Sequence, residues 1–282
     1  MLRVKAAGHG TLKEAFLIYF TKPTGGILAG KRLLQPPPVV RFPIDVPLRI
    51  AFIADLHVRK RALFMAETAA TVLAGLKPDL LLVGGDMAEC DEGEVRVFSA
   101  LMDALGDVPI FAVPGNNDDV RFDRSRETLR REIERFGAHL LLNECARLCV
   151  RGVKLEIAGV EDGLRHEPDA RGLFSAEPDT YRVLLSHAPH AFLLKQCHPD
   201  LMLSGHTHGG QWNFLGLTPY SLPFYEHKTR YTHLSGLRTI DGTLCAVTNG
   251  VGYSRQALRI GARPDVMLAE GRKETYKGEP DA

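Results

Sequence analysis

The 282-residue chain has five cysteines, Cys90, Cys145, Cys149, Cys197 and Cys245, an odd number with no C-x-x-C spacing. This argues against a disulfide framework and against a zinc ribbon, so a reducing compartment, the cytoplasm, is the expectation. Long apolar runs are missing from the N-terminal stretch, where the longest, "AFLIYF" from Ala15 to Phe20, is too short for a signal h-region or a bilayer span. There is no twin-arginine export signal and no internal repeat. GxSxG and P-loop patterns are also absent, which leaves a serine hydrolase or a nucleotide-driven switch without support.

Net charge is close to zero at +1, but it is unevenly placed. Residues 1–44 hold seven Lys or Arg against the single acid Glu14, an excess of six, and the remainder of the chain is therefore −5. A mildly acidic body is not expected to bind nucleic acid in general. The basic arm needs a separate reading. Leu12, Phe16, Tyr19 and Phe20 fall on one helical face by their i, i+4, i+7, i+8 spacing. Such a segment suits either an anionic membrane surface, on the inner face of the membrane, or packing on the domain with its charges solvated.

A hydrophobic content of 45% lets the chain bury one large α/β core. Prolines 36–38 read as an extended linker, which divides the chain into a basic arm, 1–47, and a single main domain, 48–282. Strand patterns near "LRIAFIADLH", "PDLLLVGGD" and "PIFAVPGNND" alternate with helical spacing over 64–76, 93–105 and 125–136. That alternation predicts βαβ units and a largely parallel sheet. Adjacent strands follow near 138–142, 147–150, 153–159, 181–187 and 200–206, and segments 234–240 and 243–249 flank a "DG" hairpin turn.

Polar residues cluster where the apolar runs end. Five runs finish in "DLH", "GGD", "GNND", "SH" and "GHTH", so Asp55, His57, Asp86, Asn116, His187, His206 and His208 sit at strand C-termini. Open α/β sheets bind ligands at that edge. One at a time, these residues read equally well as caps, turn positions or core histidines. Together they bring two carboxylates, an amide and four imidazoles to one apolar edge, a load that cations would balance. The donor chemistry suits Zn, Fe or Mn, and seven ligands exceed what one open site uses. Two ions bridged by a carboxylate would account for all of them, with Asp86 as the bridge because Gly84 and Gly85 free the space before it.

The five motifs, in this order, resemble the signature of the calcineurin-like metallophosphoesterases over residues 48–270. "GHTHGGQ", followed by "GLTPYSLPF" and "NGVGYSRQALRIGARPDVML", is most similar to a bacterial branch of phosphodiesterases and phosphatases that act at or near membranes. The resemblance implies an α/β fold, a four-layer αββα sandwich with the metal site at one end. It implies one divalent ion on Asp55, His57, Asp86 and His208 and a second on Asp86, Asn116, His187 and His206, with Asp86, Asn116, Asn117 and His206 in the catalytic set. The implied reaction is direct attack of a metal-bound hydroxide on phosphorus, without a covalent intermediate.

The chain departs from the family at Asn117, where many members have a histidine. An amide can bond a phosphoryl oxygen but cannot protonate a leaving alkoxide. Either another residue, with His190 in "SHAPH" as the candidate, supplies the proton, or the leaving group needs little help. Arg121 and Arg124 read as phosphate ligands or as solvated surface, and Trp212, Phe214, Tyr220, Phe224 and Tyr225 as a substrate cover or as anchors. The expected activity is therefore hydrolysis of a phosphodiester or pyrophosphate in a small-molecule or lipid-linked substrate. A UDP-2,3-diacylglucosamine-type pyrophosphate is one alternative. An inactive binding module on the same scaffold is another, against which the full ligand set speaks.

Overall fold

The apolar run Arg49–Ile53 is buried on both faces, with Ile50 and Phe52 pointing one way, Ala51 and Ile53 the other, and all four at 0% exposure. Alternate side chains of a strand face opposite sides, so a run with no polar alternation has to be covered twice. The computed structural model describes residues 18–20, 36–118, 125–222, 230–254 and 258–272 and shows both covers.

Among these residues, one six-stranded sheet has the order β2 (Val39–Ile44), β14 (Val266–Gly271), β3 (Arg49–Ile53), β4 (Leu80–Val83), β5 (Ile110–Ala112), β6 (His139–Leu140). A second has the order β11 (Gly236–Ile240), β12 (Thr243–Val247), β10 (Leu201–Ser204), β9 (Thr180–Ser186), β8 (Val153–Gly159), β7 (Glu144–Val150). Their facing sides share one core, in which Phe52, Leu82 and Phe111 of the first sheet meet Ile157, Val183, Leu185 and Leu203 of the second.

Three helices, α1 (Phe64–Gly75), α2 (Asp91–Leu105) and α3 (Arg126–Glu134), close the outer face of the first sheet. Their Leu73, Phe98, Leu101 and Leu129 pack on Ile53, Leu81 and Val83. Ser125 starts α3, its hydroxyl accepting the Thr128 N–H at 3.2 Å. The outer face of the second sheet is covered by α4 (Phe192–Cys197), whose Leu193 and Leu194 join Val160, Ala170, Leu184 and Met202. The four expected layers are present, and the last is thin because it consists of one short helix and irregular chain.

The expected strands and helices are found within a few residues of their predicted places. Two expectations need correction. Val39–Ile44 pairs in parallel with β14 at the edge of the first sheet, so that sheet begins inside the stretch assigned to the arm and linker. Ile18–Phe20 forms a strand, β1, antiparallel to β13 (Leu258–Ile260), which ends the expected helical face at Tyr19 and Phe20. Leu12 and Phe16 lie outside the described residues.

The topology places the site. β3, β4 and β5 run parallel in the first sheet, as do β9, β10 and β12 in the second. The two sets end together, where the His187 ring Nδ1 lies 2.7 Å from the Gly84 carbonyl and ties the end of β9 to the end of β4.

Candidate metal centre

Five of the seven candidate ligands leave their strands with a left-handed backbone. Asp55, His57, Asp86, His206 and His208 all have positive φ, between 47° and 68°. A side-chain-bearing residue rarely adopts that conformation, and it persists where the surrounding structure imposes it. The neighbouring backbone lies close to the carboxylates. A Cβ on Gly115 would come to 2.1 Å from Asp86 Oδ1, and one on Gly205 to 2.4 Å from Asp55 Oδ2. Glycine at these two positions therefore makes room for the two carboxylates.

The side chains then converge. His57 Nε2 and His208 Nε2 are 3.2 Å apart with their rings stacked. Asp55 Oδ1 lies 3.9 Å from the first nitrogen and 3.7 Å from the second. On the other side, His187 Nε2 is 3.1 Å from Asn116 Oδ1 and 3.2 Å from His206 Nδ1. Asp86 Oδ2 stands between the groups, 3.7 Å from His57 Nε2 and 3.6 Å from His187 Nε2. Asp55 also reaches both groups, one with His57 and His208 and one with Asp86 and His187.

These positions fit cations. Asp55 is fully buried, its Oδ2 accepts the His206 N–H at 2.8 Å, and its Oδ1 has no hydrogen-bond partner among the described residues. A buried carboxylate oxygen in that state is costly unless a positive charge meets it. Two imidazole nitrogens on one tetrahedral ion, each about 2.0–2.1 Å from it, would stand about 3.3 Å apart, close to the His57–His208 separation.

The electrostatics agree. Burial, with Arg259 and His57 adding to it, holds His208 well below the usual histidine range, and burial with His187 lowers His206 to about 3. Both rings are therefore neutral, the form that coordinates metal. Burial works against ionised Asp86, but His187, His57 and two bonds from Asn117 outweigh it and keep its pKa low. Burial also opposes charged His57 and His187, yet the neighbouring acids raise both, so the pocket favours positive charge.

The expected seven residues are thus brought together. Asn117 differs from expectation: its side-chain amide donates to Asp86 Oδ2 at 2.6 Å and is directed at that carboxylate. His190, 2% exposed, packs on Phe192 and Tyr231, and His206 rests against the same Tyr231 ring. Trp212 is an anchor, its Nε1–H donating to the Leu258 carbonyl at 3.0 Å, whereas Phe214 is 52% exposed. Arg121, Arg124, Phe224 and Tyr225 lie outside the described residues.

Three supporting residues escaped the sequence reading. Glu89 Oε1 is 3.3 Å from His57 Nδ1 and fixes that ring from behind. Asp118 Oδ2 accepts from the N–H groups of Asp86 and Gly115 at 2.9 and 2.6 Å, joining two ligand loops. Arg259, fully buried, donates to the carbonyls of His208, Gly250 and Gly252. Asp118 stands inside "GNND" and Arg259 inside "QALRIG", so both were in view in the motifs but without a signal for their roles.

A sequence model of the family described as calcineurin-like phosphoesterase matches residues 48–210. The chain is 30% identical over 233 residues to Phosphodiesterase YaeI of Escherichia coli strain K12, covering 79% of this chain and 82% of that protein. It is 26% identical to a Bacillus subtilis protein named Uncharacterized metallophosphoesterase YkoQ, covering 80% of this chain and 84% of that one. It is 31% identical to Uncharacterized protein YpbG of the same organism, covering 79% and 80%.

Proposed function

Because this chain belongs to the calcineurin-like phosphoesterases, which makes it a metal-dependent phosphoester hydrolase, we propose that it cleaves a phosphodiester or pyrophosphate bond at a two-ion centre. One ion would be held by Asp55, His57, Asp86 and His208, the other by Asp86, Asn116, His187 and His206. The observation that carries this reading is Asp86 Oδ2, placed within 3.7 Å of an imidazole nitrogen from each histidine group. Bound there, divalent Mn, Fe or Zn would neutralise phosphate oxygens and lower the pKa of a bound water.

The protein's own groups do the positioning. Asn117 holds the central carboxylate through two donors, Glu89 fixes the His57 ring, and Asp118 fixes the loops that carry Asp86 and Asn116. Neutral His206 and His208 stay available for coordination across the physiological range. With Asn117 turned to Asp86, the position where many relatives carry a histidine supplies no acid. That favours a leaving group that departs without a proton, an aryl-type alcohol or a phosphate of a pyrophosphate. The relative whose name is phosphodiesterase supports the diester.

A lipid-linked substrate, of the UDP-2,3-diacylglucosamine pyrophosphate kind, is the second reading, and the charge excess of residues 1–44 favours it. It would place the chain peripherally on the inner face of the membrane; among the described residues no helix is long and apolar enough to cross one. Hydrolysis of a panel of phosphomonoesters, aryl and alkyl phosphodiesters and nucleotide-sugar pyrophosphates, with Mn added, tests the proposal. Turnover of diesters or pyrophosphates supports it. Turnover of monoesters alone contradicts it.

A further inference from the structure

The twelve residues Gln211–Leu222 follow the metal-ligand loop directly and contain no Asp, Glu, Lys, Arg or His. Within them lie four large apolar side chains that face solvent: Phe214 at 52%, Leu215 at 64%, Leu217 at 70% and Leu222 at 45%. Among the described residues only three other large apolar side chains are exposed, and they are scattered at Phe64, Val95 and Phe192. Scattered exposure is ordinary, but three such side chains within the four-residue turn Phe214–Leu217 mark an interaction surface.

The tip is a closed turn. The N–H groups of Phe214 and Leu217 donate to each other's carbonyls, both at 2.9 Å, and Gly216 N–H donates to Asn213 Oδ1 at 2.8 Å. Leu215 and Gly216 take the positive φ that such a turn demands, 54° and 93°. The N–H groups of Phe214, Gly216 and Leu217 thus have partners within the turn, which lowers the cost of taking the tip into an apolar phase. The base is equally fixed: Asn213 N–H donates to the Ile260 carbonyl at 2.7 Å, Ile260 N–H to the Gln211 carbonyl at 2.8 Å, and Trp212 Nε1–H to the Leu258 carbonyl.

The same strand β13 that holds the base also pairs with β1, Ile18↔Ile260 and Phe20↔Leu258. Ile18–Phe20 is therefore paired to the strand that holds the root of the apolar hairpin, and in sequence these three residues belong to the segment 1–44 that carries the six-unit basic excess. Apolar insertion and basic attraction are the two signals that together hold a protein at an anionic lipid surface. We propose that the hairpin Gln211–Leu222 inserts into an anionic membrane surface, seating the metal centre at the lipid interface. This rests on the hairpin and its neighbours and is independent of whether the centre hydrolyses diesters.

Trp212 is the single tryptophan of the chain and reports on the hairpin's root without any label. Full-length protein would be mixed at low salt with vesicles of phosphatidylcholine and phosphatidylglycerol, with and without brominated acyl chains. The proposal expects sedimentation with the vesicles and quenching of Trp212 by the brominated lipid. It also expects the Leu215→Ser/Leu217→Ser double variant to bind about tenfold more weakly or worse, with an unchanged unfolding midpoint. Single Leu217→Ser serves if the double variant is unstable. Failure to sediment overturns the proposal and leaves the tip to a protein partner. Sedimentation without quenching, or unchanged binding by the folded variants, overturns it as well and assigns any binding to the basic segment alone.

Discussion

Asn117 grips Asp86 with two donors, its backbone N–H to Oδ1 at 2.9 Å and its side-chain amide to Oδ2 at 2.6 Å. Since Asp86 stands between both histidine groups, the amide acts on the site through the carboxylate. Hydrogen bonds to a charged group contribute about 1.5–3 kcal/mol. Asn117→Ala is expected to weaken binding of both ions by roughly 10–100-fold. Chelator-competition titration with Mn measures it. An unchanged affinity, with a loss confined to turnover, would return Asn117 to a direct role on substrate.

Glu89 acts on one side only. Burial would raise its pKa, but the bonds from His57 and Arg59 hold it at about 2, so it is a carboxylate that orients His57 from Nδ1. Glu89→Gln is expected to weaken the ion on His57 and His208 by roughly 10–100-fold and to spare the other. Two-step metal titration separates the cases; equal loss at both steps would refute the assignment.

Asp265 carries a pH dependence. Burial raises it to about 6, against the Thr248 and Asn249 bonds that favour its charge, while the unfolded reference is 3.8. A raised carboxyl binds its proton more tightly in the folded state, so its contribution is full below the unfolded pKa and is lost as pH rises through about 6. Asp265→Asn, which does not titrate, is expected to gain on the native protein by about 2 kcal/mol between pH 4.5 and 7.5. Urea unfolding at the two pH values, with metal load held constant, checks the sign. A constant difference would show that Asp265 is not perturbed.

The ligands were legible because each follows an apolar run, and the parallel pairing that alternating strands and helices predict brings those strand ends to one edge. Their left-handed backbone was not, since no local pattern marks it, and the room for two of the carboxylates comes from glycines distant in sequence, Gly115 beside Asp86 and Gly205 beside Asp55. β2 was hidden by the preceding prolines and by Pro43, which an edge strand tolerates because it need not donate on its open side. Arg259 and His208 are 51 residues apart, and no local pattern links an arginine on a short strand to a turn that far away.

The glycines beside the carboxylates give a separate test. Gly115→Ala would put its methyl 2.1 Å from Asp86 Oδ1, and Gly205→Ala its methyl 2.4 Å from Asp55 Oδ2. Each is expected to cost roughly 1–3 kcal/mol of stability through overpacking. Metal content should fall further than stability does, because the displaced atoms are the candidate ligands. Thermal unfolding and elemental analysis on the same samples decide; folded protein with full metal would contradict the geometry.

Metal stoichiometry tests the two-ion centre most directly. Protein reconstituted with excess Mn, passed through a desalting column and analysed for bound metal, is expected to carry two ions per chain. Asp86→Asn should lose both, and His208→Ala mainly one, with hydrolysis of an aryl phosphodiester falling in parallel. A saturated native protein that holds a single ion, and keeps it when Asn116 or His187 is replaced, would contradict the account.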